Sequence, residues 1–466
     1  MARAVRTPGS GGSARYRLVA GWARFLTGLF YRRVEVVGLE HVPTRGPLIL
    51  TANHQNALVD PMLLLATVPR QLVPIAKAPL FRHPLIGPFL HLLGAVPVHR
   101  RQETGDDPTR NEAMFSAAIG TLEKGGAVMI FPEGLSHPHP ALMPLRTGTA
   151  RMLLGAEAAA GGRLGVTLLP VGLVFHEPGT FRAGWALVLI GKPVPVEDCV
   201  ALARTAPDVA VRRLTDRLAE ALRLQIVEAD DRQTLRLLRA VDAMWRAEWS
   251  ESSGDEAMTV ARMQQVMRAY RYLESRAPGR VADLRRRVEA YADDLEHAGV
   301  RDRQLSASYS SGTVLRFTLR EGLSSLLGFP LALWGMAAHV VPYQLTVAVI
   351  QAWRPPADEE ATDKIATAVL LYPLAWGVEA WLAWRLVGGW ALGAFLASLL
   401  PAGFFALAWR ARLARIRREA RGFFRFLADR DLRRHLLARR RALVDELQAL
   451  ARLVPESVRL GQPTEE

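Results

Sequence analysis

Between Gly322 and Gln351 the chain carries His339 and Tyr343 and no other ionisable side chain. A run this long and apolar can cross a bilayer only as a helix, because hydrocarbon offers the backbone no hydrogen-bond partner. The segment therefore reads as a membrane helix despite Pro330 and Pro342. Ile365 to Val387 is nearly as apolar, broken only by Glu379 and Arg385, and Trp390 to Trp409 is wholly apolar. Gly388-Gly389 separates the last two, as in a tight helical hairpin, and Trp353, Trp381, Trp384, Trp390 and Trp409 suit interfacial belts. Residues 410–441 are crowded with arginine, which marks a cytoplasmic tail. If the N-terminal region is cytoplasmic too, the crossings must be even in number, so one of the three apolar segments must be re-entrant, form a hairpin or lie in the plane. Pro342 singles out the first.

The N-terminal half has another rhythm. Short apolar runs at Val34–Val37, Leu48–Ala52, Leu72–Ala76, Ala95–Val98, Ala127–Phe131, Val166–Phe175 and Trp185–Ile190 alternate with helical patterns. That alternation predicts an α/β domain over residues 34–200, a mixed sheet flanked by helices. Residues 1–14 are Gly/Ser/Arg-rich and read as disordered. Within 1–33, Tyr16 to Arg33 is amphipathic, with Leu18, Trp22, Phe25, Leu26 and Leu29 on one face. Arginines interrupt it, which argues against a cleaved signal peptide, and it reads as an interfacial helix or as a helix packed on the domain. Residues 201–321 form a charged helical region with a break near Glu251-Ser252-Ser253-Gly254, 322–409 hold the membrane segments, and 410–466 form a basic helical tail, lipid-facing or a short coiled coil.

The chain has 466 residues, half of them hydrophobic, and a formal net charge of +14. Such a charge calls for an acidic partner: nucleic acid, an anionic membrane surface or phosphorylated substrates. No zinc-finger or phosphate-loop pattern supports nucleic acid, whereas the apolar segments support anionic membrane lipids. Cys199 is the single cysteine, so no intrachain disulfide forms. His83, His91, His137 and His139 are too irregularly spaced for a metal site, and no metal is expected.

Chemistry concentrates in Asn53-His54-Gln55-Asn56-Ala57-Leu58-Val59-Asp60. The apolar run Pro47–Ala52 delivers His54 to a strand end. Asp60 before Pro61 reads as an N-cap with proline at the first helical position of a buried helix. An imidazole whose second nitrogen meets a carboxylate keeps one tautomer and becomes a better base, as deprotonating an alcohol requires. Taken alone, Asp60 reads equally as a helix cap and His54 as a loop histidine.

Three further segments bear on this. Gly94-Ala95-Val96-Pro97-Val98-His99-Arg100 is a short strand ending in arginine; Phe131-Pro132-Glu133-Gly134 follows a strand; and Leu168-Leu169-Pro170-Val171-Gly172 is a strand interrupted by proline. In order and spacing the four blocks resemble those of the glycerolipid acyltransferases, over roughly residues 34–200. The resemblance implies that His54 is the general base, that Asp60 orients it, and that Arg100 holds the acceptor's phosphate. Phe131, Pro132, Glu133, Gly134, Ser136 and Pro170 would then belong to the acceptor-binding blocks. From the residues alone, Arg100 is equally part of a solvated basic loop, and Glu133 a structural partner for an arginine such as Arg146. The resemblance also implies direct transfer from a thioester of coenzyme A or acyl carrier protein, with no cofactor and no acyl-enzyme. The lone Cys199 and the missing G-x-S-x-G elbow agree with that. Five residues separate His54 from Asp60 where four are commonest, and Leu135-Ser136-His137 follows Gly134 where Thr-Arg is common. Both features resemble the fungal-type glycerol-3-phosphate acyltransferase branch.

The expectation is a multi-pass acyltransferase of the inner (cytoplasmic) membrane, its catalytic domain facing the cytoplasm. It would acylate glycerol 3-phosphate or its 1-acyl derivative. The alternatives are an enzyme for another lysophospholipid and an inactive membrane scaffold with a lipid-binding basic tail.

Overall fold

A computed structural model describes residues 13–84, 86–98, 108–182, 184–229, 231–248, 256–306, 311–456 and 458. The disorder expected before residue 13, the Glu251–Gly254 break and Arg100 lie outside them. The described chain forms two compact units.

The first unit runs to Asp231 and also takes in residues 256–260 and Pro355–Ala366. It opens with α1 (Ala14–Phe30) and β1 (Arg33–Val37), then β2 (Leu48–Ala52), α2 (Val59–Thr67), β3 (Leu72–Lys77), α3 (Gly87–Leu93) and β4 (Val96–Val98). It continues with α4 (Pro108–Glu123), β5 (Ala127–Ile130), α5 (Gly148–Ala159), β6 (Thr167–His176), β7 (Trp185–Ile190), α6 (Glu197–Leu202) and α7 (Pro207–Arg223). The strands make one seven-stranded sheet in the order β1-β7-β6-β2-β5-β3-β4, parallel throughout except for the antiparallel β6–β7 pair. The expected mixed sheet flanked by helices is therefore what forms.

Every residue of β2 is buried, which suits a continuous apolar run in a central strand covered on both faces. Two apolar clusters do the covering. One gathers Leu48 and Leu50 with α1 and α2; the other gathers Ile49 and Leu168 with α4, α5 and α7. Pro170 does not interrupt β6. Its carbonyl accepts from Gly191 N–H on the β7 side, just before the β6–β7 ladder begins at Val171. A strand residue's N–H and C=O face the same neighbour, so the missing donor falls where no ladder bond is needed.

The α/β unit extends beyond residue 200. Ala210, Leu214, Leu218 and Leu222 recur every four residues along α7 and are buried in the second cluster. On α1, Val19, Ala20, Ala23 and Phe30 pack into the first cluster, while Leu18, Trp22 and Phe25 of the second apolar face stay exposed.

The second unit contains α8 (Arg232–Glu248), α9 (Glu256–Arg276) beyond its first turn, α10 (Pro278–Ala298) and α11 (Asp302–Ser306). It also holds α12 (Ser311–Trp353), α13 (Glu360–Val387) from Thr367 on, α14 (Gly389–Ala428) and α15 (Arg430–Arg452). Three of these are long and apolar enough to cross a membrane: Arg320–Trp353, Glu360–Val387 and Gly389–Ala428. α12 runs unbroken through Pro330 and Pro342, so the first apolar segment neither re-enters nor folds into a hairpin. It approaches α14 closely, because a Cβ on Gly335 would meet Ala402 O at 2.1 Å. The tail is not free-standing either. Leu436, Leu443 and Leu450, seven residues apart, bury α15 against α8 and α10 around Val288 and Tyr291.

Gly172 on β6 lies so close to the chain after α7 that an added Cβ would sit 2.0 Å from Gln225 O, a backbone atom that cannot turn aside. Nothing lies within 4 Å of the same position on Gly148. Gly172→Ala is expected to lower the thermal midpoint of the purified chain by several degrees, and Gly148→Ala to leave it unchanged or slightly higher. Equal midpoints for the two variants would contradict this packing.

Candidate active site

β2 and β5 are adjacent parallel strands, so their carboxyl ends deliver His54 and Phe131–Gly134 to the same edge of the sheet. The two rings stack there, His54 on Phe131, with centroids 4.2 Å apart. Asn53 pins the strand end. Its buried amide donates to Leu173 O at 3.0 Å and accepts from Leu173 N–H at 2.7 Å, tying β2 to β6 at the residue before the histidine.

His54 and Asp60 meet. Nδ1 lies 2.8 Å from Asp60 Oδ2, across the five intervening residues. Asp60 is fully buried, and the same oxygen accepts from the N–H groups of Gln55 at 2.8 Å and Asn56 at 2.9 Å. Burial pushes the Asp60 carboxyl up; the hydrogen bond and charge of His54 and the two backbone donors pull the other way. Its ionised form therefore depends on those donors. With Nδ1–H donated to Asp60, Nε2 carries the free lone pair, and it has no hydrogen-bond partner among the described residues.

Asp60 is not the expected N-cap. α2 starts at Val59 after Leu58, which makes no side-chain cap, and Asp60 stands in the first turn. Its carboxylate reaches back to N–H groups before the helix rather than forward to those of the first turn. The fifth intervening residue is taken up by one tight turn, in which Asn56 O accepts from both Val59 and Asp60 N–H and Ala57 adopts a φ of 33°. Left-handed backbone at a residue with a Cβ is strained and persists only where surrounding bonds enforce it.

Glu133 is 1% exposed, and its carboxylate is taken up by protein donors. Oε1 accepts from His54 N–H at 2.7 Å. Oε2 accepts from Met143 N–H at 2.7 Å and lies 2.5 Å from His137 Nε2. Glu133 thus holds the backbone of the base and does not pair with Arg146 among the described residues. Gly134 has a φ of +78°, which turns the chain sharply, with its N–H donating to Phe131 O. Pro132 O accepts from Arg146 N–H at 2.7 Å. Ser136 Oγ accepts from Ala57 N–H at 3.1 Å, and Pro170 is buried in β6 opposite Thr51.

Two contributors to the site carried no signal in the sequence. Tyr31 OH donates to Pro178 O at 3.1 Å and accepts from Asn56 Nδ2 at 2.7 Å; burial, with Asp60 nearby, pushes its phenol far up, so it stays neutral. Thr362 Oγ1 accepts from Leu58 N–H at 3.1 Å, from 304 positions away. Cys199 is buried in the second apolar cluster, and burial raises its thiol. No group of three or more His, Cys, Asp or Glu side chains among the described residues is arranged to hold a metal.

The largely parallel α/β domain thus presents a carboxylate-held imidazole at the carboxyl end of its central strand, where α/β sheets tend to bind ligands. Residues 33–174 match the family described as Acyltransferase. An acyltransferase of Schizosaccharomyces pombe is 23% identical over 62% of this chain and 55% of its own length. Glycerol-3-phosphate O-acyltransferase 2 of Saccharomyces cerevisiae is 26% identical over 42% of this chain and 26% of its own. The 1-acyl-sn-glycerol-3-phosphate acyltransferase of Borreliella burgdorferi is 28% identical over 30% and 51%. The chain thus spans between about a quarter and just over half the length of these relatives. Residues 33–174 thus match an acyltransferase domain, and over it the chain is similar to glycerolipid acyltransferases.

Glu133→Ala would strand the half-buried N–H groups of His54 and Met143, at about 1–2 kcal/mol each. Thermal unfolding of the variant should show a loss of about 2–4 kcal/mol, against about 1 kcal/mol for Ser136→Ala, which strands only Ala57 N–H. A Glu133→Ala protein as stable as wild type would refute the holding role.

Proposed function

We propose that this chain is a membrane-bound O-acyltransferase that moves a fatty acyl group from a coenzyme A or acyl carrier protein thioester to a hydroxyl of glycerol 3-phosphate or 1-acyl-glycerol 3-phosphate. The observation that carries the reading is the 2.8 Å His54–Asp60 hydrogen bond, which leaves Nε2 as the free base at the edge of the sheet.

In the reaction, His54 Nε2 takes the proton of the acceptor hydroxyl as its oxygen attacks the thioester carbonyl. Asp60 holds Nδ1–H and stabilises the imidazolium that forms. The tetrahedral adduct collapses with cleavage of the C–S bond, and the imidazolium returns its proton to the leaving thiolate. The products are the acylated acceptor and a free thiol. General-base assistance of this kind contributes about 10²–10⁴ in rate, and positioning contributes more. Direct transfer fits a chain whose single cysteine is buried in the core. Arg100 is assigned to the acceptor phosphate from the family's second block.

The membrane assignment rests on the three apolar helices. Arg410, Arg412, Arg415, Arg417 and Arg418 follow Trp409 directly on α14, which favours a cytoplasmic position for that end. A catalytic domain facing the cytoplasm, where both thioester donors are made, completes the proposal.

His54→Ala in the full chain should abolish transfer, by at least about 10²-fold, while the chain still folds; wild-type turnover in that variant would refute the mechanism. Arg100→Ala should raise KM for phosphate-bearing acceptors while leaving KM for the thioester unchanged. A panel of donors and acceptors assayed in native-like membranes reads this directly, and equal KM changes for phosphorylated and unphosphorylated acceptors would remove Arg100 from the phosphate site.

A further inference from the structure

The turn between β2 and α2 can be accounted for bond by bond. His54 N–H donates to Glu133, those of Gln55 and Asn56 to Asp60, that of Ala57 to Ser136, and those of Val59 and Asp60 to Asn56 O. One donor of the seven remains, Leu58 N–H, and its acceptor is Thr362 Oγ1 at 3.1 Å. Every other acceptor lies within residues 33–174, the part that matches the family. Thr362 lies in the first turn of α13, the second apolar helix, within the segment Pro355–Ala366 that belongs to the α/β unit.

That segment is anchored on both sides of the threonine. Ala361 is fully buried in the cluster that contains Val59 and Leu63 of α2, and Ile365 packs against the same cluster. Lys364 Nζ donates to Gly179 O at 2.7 Å and pairs with Glu360 at 2.5 Å. Gly179 follows Pro178, whose carbonyl receives the Tyr31 hydroxyl that in turn holds Asn56. The segment therefore reaches the turn twice, directly through Thr362 and indirectly through residues 178–179.

We propose that Pro355–Ala366 is an integral part of the active site, with Thr362 the positioning residue that fixes the five-residue His54–Asp60 turn. Ala57 holds a left-handed backbone that the turn would not keep unaided, and its neighbours' N–H groups need acceptors that cannot drift. Thr362 supplies one at Leu58, the residue just before α2, whose N–H does not go to Asp60. The claim deepens the acyltransferase reading and rests on it for its kinetic consequence, but not for its structural one.

The test compares Thr362→Val, which keeps the shape and removes the acceptor, with Thr362→Ser, which keeps the oxygen, both in the full chain in native-like membranes. Thr362→Val should lower kcat about tenfold. KM for a long-chain acyl-CoA and for glycerol 3-phosphate should stay within about twofold, and Thr362→Ser should recover most of kcat. Hydrogen–deuterium exchange of a peptide covering residues 54–62 should quicken about tenfold in Thr362→Val and return in Thr362→Ser. Unchanged exchange in Thr362→Val overturns the proposal whatever the kinetics. So does an equal kcat loss in both variants, which would assign the effect to packing rather than to the oxygen. If wild type transfers no acyl group to any glycerol-phosphate acceptor, the functional reading fails, while the exchange comparison still decides the role of Thr362.

Discussion

Backbone N–H groups at the end of a buried central strand must find acceptors, and the site of this protein is built around that requirement. The seven amides from His54 to Asp60 follow a fully buried strand, and each has an acceptor within the protein. Three side chains of the family-matching domain, Asp60, Glu133 and Ser136, accept four of them, and the turn's own Asn56 carbonyl accepts two. Asp60 and Glu133 are buried carboxylates: Asp60 Oδ2 takes the His54 ring and two amides of the turn, and Glu133 takes His54 N–H together with Met143 N–H and the His137 ring. The position of the imidazole and the local stability of the turn thus rest on the same set of hydrogen bonds. A change that loosens the turn also leaves a buried charge short of partners, and the cost of that shortage is what keeps the imidazole in place.

The arrangement clarifies the roles of the Phe131–Gly134 block. Phe131 stacks on the imidazole, Glu133 grips the backbone of the same residue, and Gly134 turns the chain so that Ser136 can reach Ala57. These contacts position His54 and the turn that follows it. The fifth residue in the His54–Asp60 spacing fits the same picture. It adds one amide and one strained φ, and the turn absorbs both because acceptors stand ready around it. The Ser-His that follows Gly134 supplies two of the groups involved: the Ser136 oxygen that takes Ala57 N–H and the His137 ring beside Glu133.

All seven strands of the sheet were legible in the sequence, with ends displaced by at most a residue, because a sheet covered on both faces demands short, nearly continuous apolar runs. The pairing of His54 with Asp60 was legible for a related reason: both sit where such a run gives way to a turn. Other features were hidden by what a one-dimensional pattern omits. The leucines of α7 resembled those of any charged amphipathic helix, and nothing in them told which core they would enter. The heptad spacing of Leu436, Leu443 and Leu450 was diluted by arginines and read as a tail. Pro342 looked like a helix breaker, yet α12 passes through it. Asp60 looked like a cap because it precedes a proline, but its carboxylate turns back to the base.

By itself, the order of residues determined which segments are strands and which are apolar helices, because those properties follow from local periodicity. Only the tertiary structure decided what each polar group is bonded to. Glu133 is buried with each of its oxygens accepting a backbone amide, from His54 and from Met143. Thr362 joins the site because chain folding, not sequence distance, sets which oxygen lies near Leu58 N–H. Hydrogen bonds are short-ranged in space and indifferent to separation along the chain, so their partners exist only once the fold does.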